Sequence, residues 1–374
     1  MTFADFEATY WDLEAKVDFF RLLQPDNAVE QKQQFLQALG TSIRLNPVFR
    51  YAPPDSSLID ADERIAALLR SLETFPNHPL YEAYENLISK VVESISLMRL
   101  RRSDVEFRKR LTAIWGTPTE QELTDARAFL STSETPAAPE KDLTAGVLAD
   151  TLRSSMLWAT DDWDIEEDRN LSARVSVSPL RKRIRIRADA MFDEAEVRRY
   201  LVHEVGVHVT RYENGAMQPF LLFRHGFPQY LATEEGLAVY AEEQAGVTDV
   251  SVLRKYAGRL VATEAAARGS FLDVYSELIE WFAPSEAYEI AQRVKRGLED
   301  TGYPGGYTKD LAYFRGYRSV KAHLSQGCNV VPLLVGKVGL QDLSLVDEML
   351  DLRLLVPPKH VPSFFKAAIS EAQR

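Results

Sequence analysis

Residues 200–208 read YLVHEVGVH, with His203 and His208 five positions apart and Glu204 directly after the first histidine. Imidazole nitrogens are good zinc ligands, and a carboxylate beside the first one is placed to take a proton from metal-bound water. In the familiar HExxH helix the histidines are four positions apart and about 40° apart around the axis, whereas a spacing of five leaves them about 140° apart. The rings therefore converge only if a π-bulge absorbs the extra residue, which Gly206 would ease.

A second segment, residues 230–243 (YLATEEGLAVYAEE), carries neighbouring carboxylates at Glu234 and Glu235. Its apolar positions predict a buried helix from Thr233, which would cap it, to Gln244. Buried carboxylates are costly unless they are paired or bind a cation. One of the two is the expected third ligand of a His, His, Glu site whose fourth position stays open, as in catalytic zinc sites. The alternative is a pair of N-terminal carboxylates that favours the helix dipole.

Helical periodicity extends outward from these segments over most of the chain. Residues 193–213 are expected to form the helix around the two histidines, and further helices are expected over residues 4–24, 28–45, 60–74, 79–100, 103–114 and 119–131. Only residues 172–178 (SARVSVS) and 182–187 (KRIRIR) alternate with period two, which predicts a hairpin or two short strands. We therefore predict a mainly α (α+β) fold, multi-helical, with a small β-sheet or hairpin beside the active-site helix.

The organisation between these elements rests on composition. Residues 131–142 (STSETPAAPEKD) are the best linker candidate, because they are small, polar and rich in Pro. This predicts an N-terminal helical region, residues 1–140, and a catalytic region, residues 141–374, or one continuous unit. The acidic run over residues 161–168 is interpreted as a solvated loop, because it lacks the spacing and the Gly of a calcium loop.

Composition narrows the class of protein. The chain has 374 residues, of which 45% are hydrophobic and 26% charged, as in folded globular proteins. A net charge of -11 argues against a dedicated nucleic-acid or anionic-membrane binder. Cys328 is the single cysteine, so an internal disulfide and a cysteine metal cluster are excluded. The acidic first residues do not fit a signal peptide, and no apolar run is long enough to span a membrane. We predict a cytoplasmic protein.

Several motifs resemble one known family, which is named for its QEGLA motif and includes the microtubule-associated tyrosine carboxypeptidases of animals. The resemblance covers about residues 172–360, and no motif of the family is recognised in residues 1–140. The segments that carry it are HEVGVH (203–208), RYENGAMQPF (211–220), ATEEGLAVYAEE (232–243), YTKDLAYFRGY (307–317) and LLVGKVGL (333–340).

The resemblance implies a zinc metallopeptidase with an HExxxH helix. By match to the motifs, His203 and His208 are the imidazole ligands of Zn²⁺, Glu204 is the general base and Glu235 is the third ligand. This chain has Glu234 where the motif has Gln, and we assign Glu234 to orienting a ligand from behind.

Hydrolysis of a C-terminal peptide bond requires further side chains. The oxyanion that forms during the reaction requires a hydrogen-bond donor. Tyr313 is the candidate and Tyr307 the second, although either fits equally a tyrosine packed in a helix. Arg and Lys side chains suit a terminal carboxylate. The candidates are Lys309, Arg293, Arg296, Arg185 and Arg187, each with a solvated charge as its alternative.

Asp310 is expected to orient Lys309 or a ligand histidine. An extended peptide is expected to lie along the strand of Arg185 and Arg187 by β-augmentation, unless that strand is a charged edge facing solvent.

The leading hypothesis is a zinc-dependent carboxypeptidase that acts on the C-terminus of a peptide or protein, with an aromatic preference implied by the animal relatives alone. Nucleic acid and membrane are not expected as partners. The alternatives are a regulatory or scaffold protein that keeps the metal without chemistry, and a zinc hydrolase of a non-peptide amide. Glu204 favours an enzyme, since a structural metal site has no need of a base.

Overall fold

The computed structural model describes residues 2–365 except for residues 18, 20–22, 42–43, 53–59, 101, 134–139, 161, 170 and 172–173. Helices dominate this part of the chain, together with one sheet of two strands and one of three. The predicted mainly α fold with a small sheet is therefore confirmed. The middle of the predicted linker and the first two residues of SARVSVS lie outside the described residues. Across the described ranges, no helix has both the length and the apolar character needed to cross a membrane.

Spatial packing divides the chain into two compact units, each built from two separate segments. The first unit contains Met1–Thr135 and Val250–Phe314, and the second contains Pro136–Asp249 and Arg315–Arg374. Residues 250–314 thus belong with the N-terminal helices. The functional division into residues 1–140 and 141–374 stays a prediction.

Amphipathic helices build the first unit. Their apolar faces bury aromatic side chains such as Phe6, Tyr10 and Tyr84, each at most 1% exposed. The first helix ends at Glu14, ten residues before the end expected from its periodicity. The helices are Phe3–Glu14, Ala28–Leu39, Ala61–Leu72, Tyr81–Met98, Val105–Ala113, Glu120–Thr132, Val250–Arg268, Phe271–Leu278 and Pro284–Lys295, followed by the 3-10 turn Thr308–Asp310.

The second unit combines helices with both sheets. Helix Leu311–Ser325 begins in the first unit and continues into this one. The strands are Leu143–Thr144, Asp164–Asp168, Val175–Ser178, Arg183–Arg187 and Met191–Phe192. The helices are Ala145–Ser155, Glu194–Tyr200, the π-helix Leu201–Val209, Thr210–Ala216, Leu222–His225, Tyr230–Gln244 and Leu343–Asp351, with 3-10 turns at Pro179–Arg181, Val331–Leu334, Leu340–Asp342 and Ser363–Phe365.

The three-stranded sheet places strand Arg183–Arg187 at its centre. Strand Val175–Ser178 pairs with it in antiparallel fashion, so the predicted hairpin is confirmed. Strand Asp164–Asp168 pairs with it in parallel on the other side. The expectation of an edge strand at Arg183–Arg187 is therefore wrong, and a peptide cannot extend the sheet along it, because both of its edges are occupied.

The interpretation of the acidic run as a loop is also wrong, because residues Asp164–Asp168 form a strand. Ile165 is 6% exposed, and burying it supplies the driving force for pairing. The neighbouring arginines neutralise the acidic side chains, with 3.3 Å between Arg183 and Asp164. Charge complementarity between adjacent strands thus turns a run that looked solvated into an ordered edge.

One apolar core joins this sheet to the helix that carries the two histidines. Ile184 and Ile186 of the central strand are fully buried and share the core with Leu148, Val205 and Val209. Because Val205 and Val209 belong to the π-helix, the sheet holds one side of that helix while its other side is left to carry polar groups.

Candidate metal centre

The helix of His203 and His208 contains the irregularity that the sequence predicts. Asp193 caps its start, and side chain and backbone bond reciprocally with Glu196. The chain is α-helical over Glu194–Tyr200, becomes a π-helix over Leu201–Val209, and returns to α-helix to Ala216, three residues beyond the expected end. The prediction that this helix absorbs an extra residue is confirmed.

Gly206, inside the π-helix, allows a close approach of another segment. A Cβ atom at this position would lie 2.7 Å from Cζ of Phe364, closer than side-chain atoms pack. The glycine therefore has a packing role besides the conformational one that we expected.

The π-helix turns both histidine side chains toward one point. The ring centroids of His203 and His208 are 4.9 Å apart. One donor atom from each of His203, Glu204 and His208 lies within 4.8 Å of the other two. Glu235 Oε2 lies 3.7 Å from His203 Nε2 and 4.0 Å from His208 Nε2, while Glu204 Oε2 lies 3.9 Å from His208 Nε2. Glu235 thus faces both Nε2 atoms, and Glu204 faces that of His208.

Glu235 comes from the helix Tyr230–Gln244, which starts earlier than predicted. Its first residue follows Gln229, whose φ of 62° sets the left-handed turn into the helix. Thr233 does not cap the helix; its Oγ1 accepts a hydrogen bond from the Leu340 N–H at 2.9 Å. The helix therefore has most of an additional turn ahead of Glu234 and Glu235.

Two carboxylates hold the histidines from behind. Glu242 Oε1 lies 2.7 Å from Nδ1 of His203, and Glu234 Oε1 lies 2.9 Å from Nδ1 of His208. Each bond favours the tautomer that leaves Nε2 free to bind a cation. Glu234 thus contacts the Nδ1 side of His208, away from the proposed metal position.

Two buried arginines complete these pairs. Arg199 donates to Glu242 at 3.2 Å, and Arg211 donates to Glu234. Glu242, Arg199 and Arg211 were not predicted from the sequence. A usable signal existed, since Glu242 follows Glu235 by two helical turns, and the arginines lie one turn before His203 and one turn after His208.

The electrostatics of the centre favour positive charge. Burial opposes protonation of His203, but Glu235 and Glu242 outweigh it and raise the pKa of His203 to about 10. Burial likewise opposes protonation of His208, and the bond to Glu234 raises its pKa. For Glu234 itself, burial is outweighed by Arg211 and His208, which lower its pKa to about 2. A bound cation therefore has to replace protons in a pocket that already attracts positive charge.

The remaining candidates of the second unit, Arg185 and Arg187, are engaged in ion pairs. Arg185 Nη1 lies 3.2 Å from Asp168, and Arg187 Nε lies 3.0 Å from Asp189. Both side chains are about a third exposed.

The candidates of the first unit gather around Asp310, which is 1% exposed. Arg293 bonds both of its oxygens, at 2.6 and 3.0 Å. Arg296 and Arg259 lie 3.6 and 3.7 Å from it. Burial opposes ionisation of Asp310, but the arginine charges hold its pKa well below the usual range. Arg259 was not predicted. Lys309 precedes this carboxylate in the turn Thr308–Asp310, and the role of Asp310 beside Lys309 or a histidine stays a prediction.

The two tyrosine candidates differ in exposure. Tyr307 is 1% exposed, with the guanidinium of Arg296 4.8 Å from its ring centroid. Tyr313 is half-buried and stacks on Tyr256, with ring centroids 4.8 Å apart. Tyr313 is thus the more exposed residue of the two.

Comparison with known proteins identifies relatives of the chain. Residues 33–374 match the family model described as microtubule-associated tyrosine carboxypeptidase, which includes most of the N-terminal helices where no motif was recognised. The human microtubule-associated tyrosine carboxypeptidase 1 is 32% identical over 154 residues, 38% of this chain and 31% of the relative. The rat protein of that name is 27% identical over 175 residues, 44% of this chain and 35% of the relative. The chain thus spans about a third of the length of these relatives.

Proposed function

Because the chain belongs to the microtubule-associated tyrosine carboxypeptidase family, we propose that it is a zinc-dependent peptidase that releases one residue from the C-terminus of a peptide or protein. The observation that carries the proposal is the π-helix, which turns His203 and His208 toward Glu204 and Glu235. A straight helix with the same sequence would separate the two rings.

The donor set fits a zinc ion. The proposed ligands are the Nε2 atoms of His203 and His208 and a carboxylate oxygen of Glu235. Glu235 Oε2 lies 3.7 Å from the first Nε2 atom and 4.0 Å from the second. Two imidazoles and one carboxylate favour zinc over harder cations. Three protein ligands leave a position open, as catalytic zinc sites do.

A zinc ion bound there would polarise the scissile carbonyl of the substrate and lower the pKa of a water molecule. Glu204 is the proposed general base. Glu204 is 9% exposed and its Oε2 lies 3.9 Å from His208 Nε2. This position supports the proposed role, in which Glu204 takes the proton of the attacking water and passes it to the leaving amine.

The substrate is proposed from the relatives and from the chemistry of the reaction. The names of the relatives specify tyrosine, and we extend to this chain a preference for an aromatic C-terminal residue. Arg293, Arg296, Lys309, Arg185 and Arg187 stay candidates for holding the terminal carboxylate, and Tyr313 stays the candidate oxyanion donor. A cytoplasmic location also stays a proposal.

The test combines metal analysis with peptide cleavage. We expect about one zinc per chain in the wild type and in Glu204→Gln, and single-residue trimming of a C-terminally degenerate peptide library by the wild type only. Loss of a general base typically costs 10²–10⁴-fold in rate. Glu235→Gln is the matched variant, and it should lose both zinc and activity because it removes a ligand.

Two results would contradict the proposal. Absence of zinc from the wild type after metal-replete purification removes the centre itself. Zinc without trimming moves the assignment to a regulatory metal protein or to a hydrolase of a non-peptide amide.

A further inference from the structure

Lys337 lies in the loop between the turns Val331–Leu334 and Leu340–Asp342, and its backbone is fixed on both sides. Its N–H donates to the carbonyl oxygen of Phe223 at 2.6 Å, and its carbonyl oxygen accepts from the N–H of Phe227 at 2.9 Å. These bonds hold the Cα of Lys337 in one place.

The same loop is tied to the candidate metal centre by one guanidinium. Arg211 Nε donates to the carbonyl oxygen of Gly336 at 2.9 Å, and its Nη2 donates to that of Val338 at 2.5 Å. The residues on either side of Lys337 are therefore bonded to Arg211. Because Arg211 also holds Glu234 behind His208, the lysine and the metal centre share one support.

Lys337 is a buried residue, 5% exposed, and its ammonium has no counter-ion of its own. Within the described part of the chain, no hydrogen bond or ion pair joins this ammonium to another side chain. The ring of Tyr230 lies 5.6 Å from Nζ. Burial lowers the pKa of Lys337, while the charges of Glu234 and Glu235 oppose that shift. Glu234 is already bonded to His208 and Arg211, so it is not available as a partner.

The balance of charges around the candidate metal centre indicates that the ammonium of Lys337 binds an anion. A buried cation without a partner is unfavourable, so a permanent anionic partner is expected when the protein acts on its substrate. A divalent cation and two arginines would balance the four carboxylates of the centre, which leaves Lys337 as one positive charge in excess. The groups counted are Glu204, Glu234, Glu235, Glu242, Arg199 and Arg211.

We propose that Lys337 binds the α-carboxylate of the substrate's C-terminal residue and so makes the site select chain ends. The inference rests on the proposed function. A permanent carboxylate fits the balance better than the oxyanion of the reaction, because the oxyanion exists only in passing. Lys337 is thereby placed ahead of the arginines around Asp310 as the carboxylate-binding group.

The experiment compares two peptides of one sequence, with a free C-terminal carboxylate or a C-terminal amide. Their binding is measured by fluorescence anisotropy in the inactive Glu204→Gln background, alone and combined with Lys337→Met, Lys337→Arg or Lys321→Met. Lys321 is the control, a half-exposed lysine paired with Glu243. We expect the background protein to bind the free acid at least about 10-fold more tightly than the amide.

Lys337→Met should bring that ratio close to one, whereas Lys337→Arg should keep most of it and Lys321→Met all of it. The ratio does not depend on the folded fraction, so a destabilised variant still gives a result. An unchanged ratio in Lys337→Met, with a wild type that trims peptides, overturns the inference and leaves the proposed function standing. A wild type that trims no peptide overturns both.

Discussion

At the scale of single residues, the candidate centre depends on groups that stand one bond behind the proposed ligands. His203 and His208 are each bonded through Nδ1 to a carboxylate, and each carboxylate is bonded to an arginine of the same helix as the histidines. Such partners fix ring orientation and raise the basicity of the ligand, so they are part of the metal affinity.

We expect Glu242→Gln to weaken zinc binding by about 10–100-fold, because His203 loses the carboxylate that orients its ring and Arg199 loses its counter-ion. The measurement is competition for zinc with a chelator of known affinity. Glu243→Gln is the control, since Glu243 bonds Tyr317 and Lys321 instead. Equal zinc affinity in both variants would show that the bond behind His203 contributes nothing.

A second residue-scale prediction concerns Glu196, in the first turn of the helix Glu194–Tyr200. Burial of this carboxylate opposes ionisation, but Arg174 and Lys141 outweigh it and lower the pKa of Glu196 to about 2 from 4.5. A carboxyl whose folded pKa is depressed stabilises the fold above pH 4.5, and that contribution is lost as the pH falls toward 2. After allowance for solvent screening, the contribution is about 1–2 kcal/mol.

Glu196→Gln should therefore be less stable than the wild type at pH 7 and should lose less stability between pH 4.5 and 2. Urea unfolding at several pH values, followed by circular dichroism, measures both effects. Glu194→Gln, at a neighbouring acidic residue of the same first turn, is the matched control. Parallel pH profiles for the wild type and Glu196→Gln would refute the assignment.

At the scale of elements, periodicity predicted the helices and the hairpin, and the five-residue histidine spacing predicted the π-helix. These features are local, so the pattern of neighbouring residues is enough to specify them. The strand Asp164–Asp168 was not predicted, because its acidic side chains read as solvated until Arg183 and Arg185 of the adjacent strand are in place. The formation of this strand therefore depends on arginines that are distant in sequence, which a local pattern does not reveal.

The helices Tyr230–Gln244 and Leu311–Ser325 meet through two glycines. A Cβ at Gly316 would lie 1.9 Å from the carbonyl oxygen of Ala232, and one at Gly236 would lie 2.2 Å from the backbone of Gly316. The obstacle is backbone in both cases, so no side-chain rotation relieves it. This contact explains why the residue after Glu234 and Glu235 is a glycine, Gly236.

We expect Gly316→Ala to destabilise the protein by about 3 kcal/mol or more, or else to push the helices apart and weaken zinc binding. Thermal unfolding and zinc content measure the two outcomes. Gly146→Ala is the control, because its nearest neighbours would lie 3.5 Å away and the helix Ala145–Ser155 gains from Ala by up to about 1 kcal/mol. A Gly316→Ala protein as stable as the wild type, with full zinc, would exclude a tight contact here.

For the molecule as a whole, packing between segments that are distant in sequence decides which segments share a unit. Residues 250–314 belong with the N-terminal helices in one unit, and no local pattern announces which distant helices share a core. The candidate residues divide accordingly. His203, Glu204, His208 and Glu235 lie in the second unit, whereas Arg293 and Asp310 lie in the first.

The effect of metal removal is therefore expected to be local. Without a divalent cation, Glu204 and Glu235 face each other's charge across the centre, and the stabilisation that zinc gives to its binding elements is lost. We expect amide hydrogen exchange in Leu201–Val209 and Tyr230–Gln244 to rise roughly 100-fold relative to protein held at 100 times the zinc dissociation constant. Exchange in Tyr81–Met98 of the first unit should not change. Glu235→Gln should exchange at the metal-free rate with or without zinc, since it lacks a ligand. A uniform rise across both units, or none in the π-helix, would show that these residues do not hold the ion.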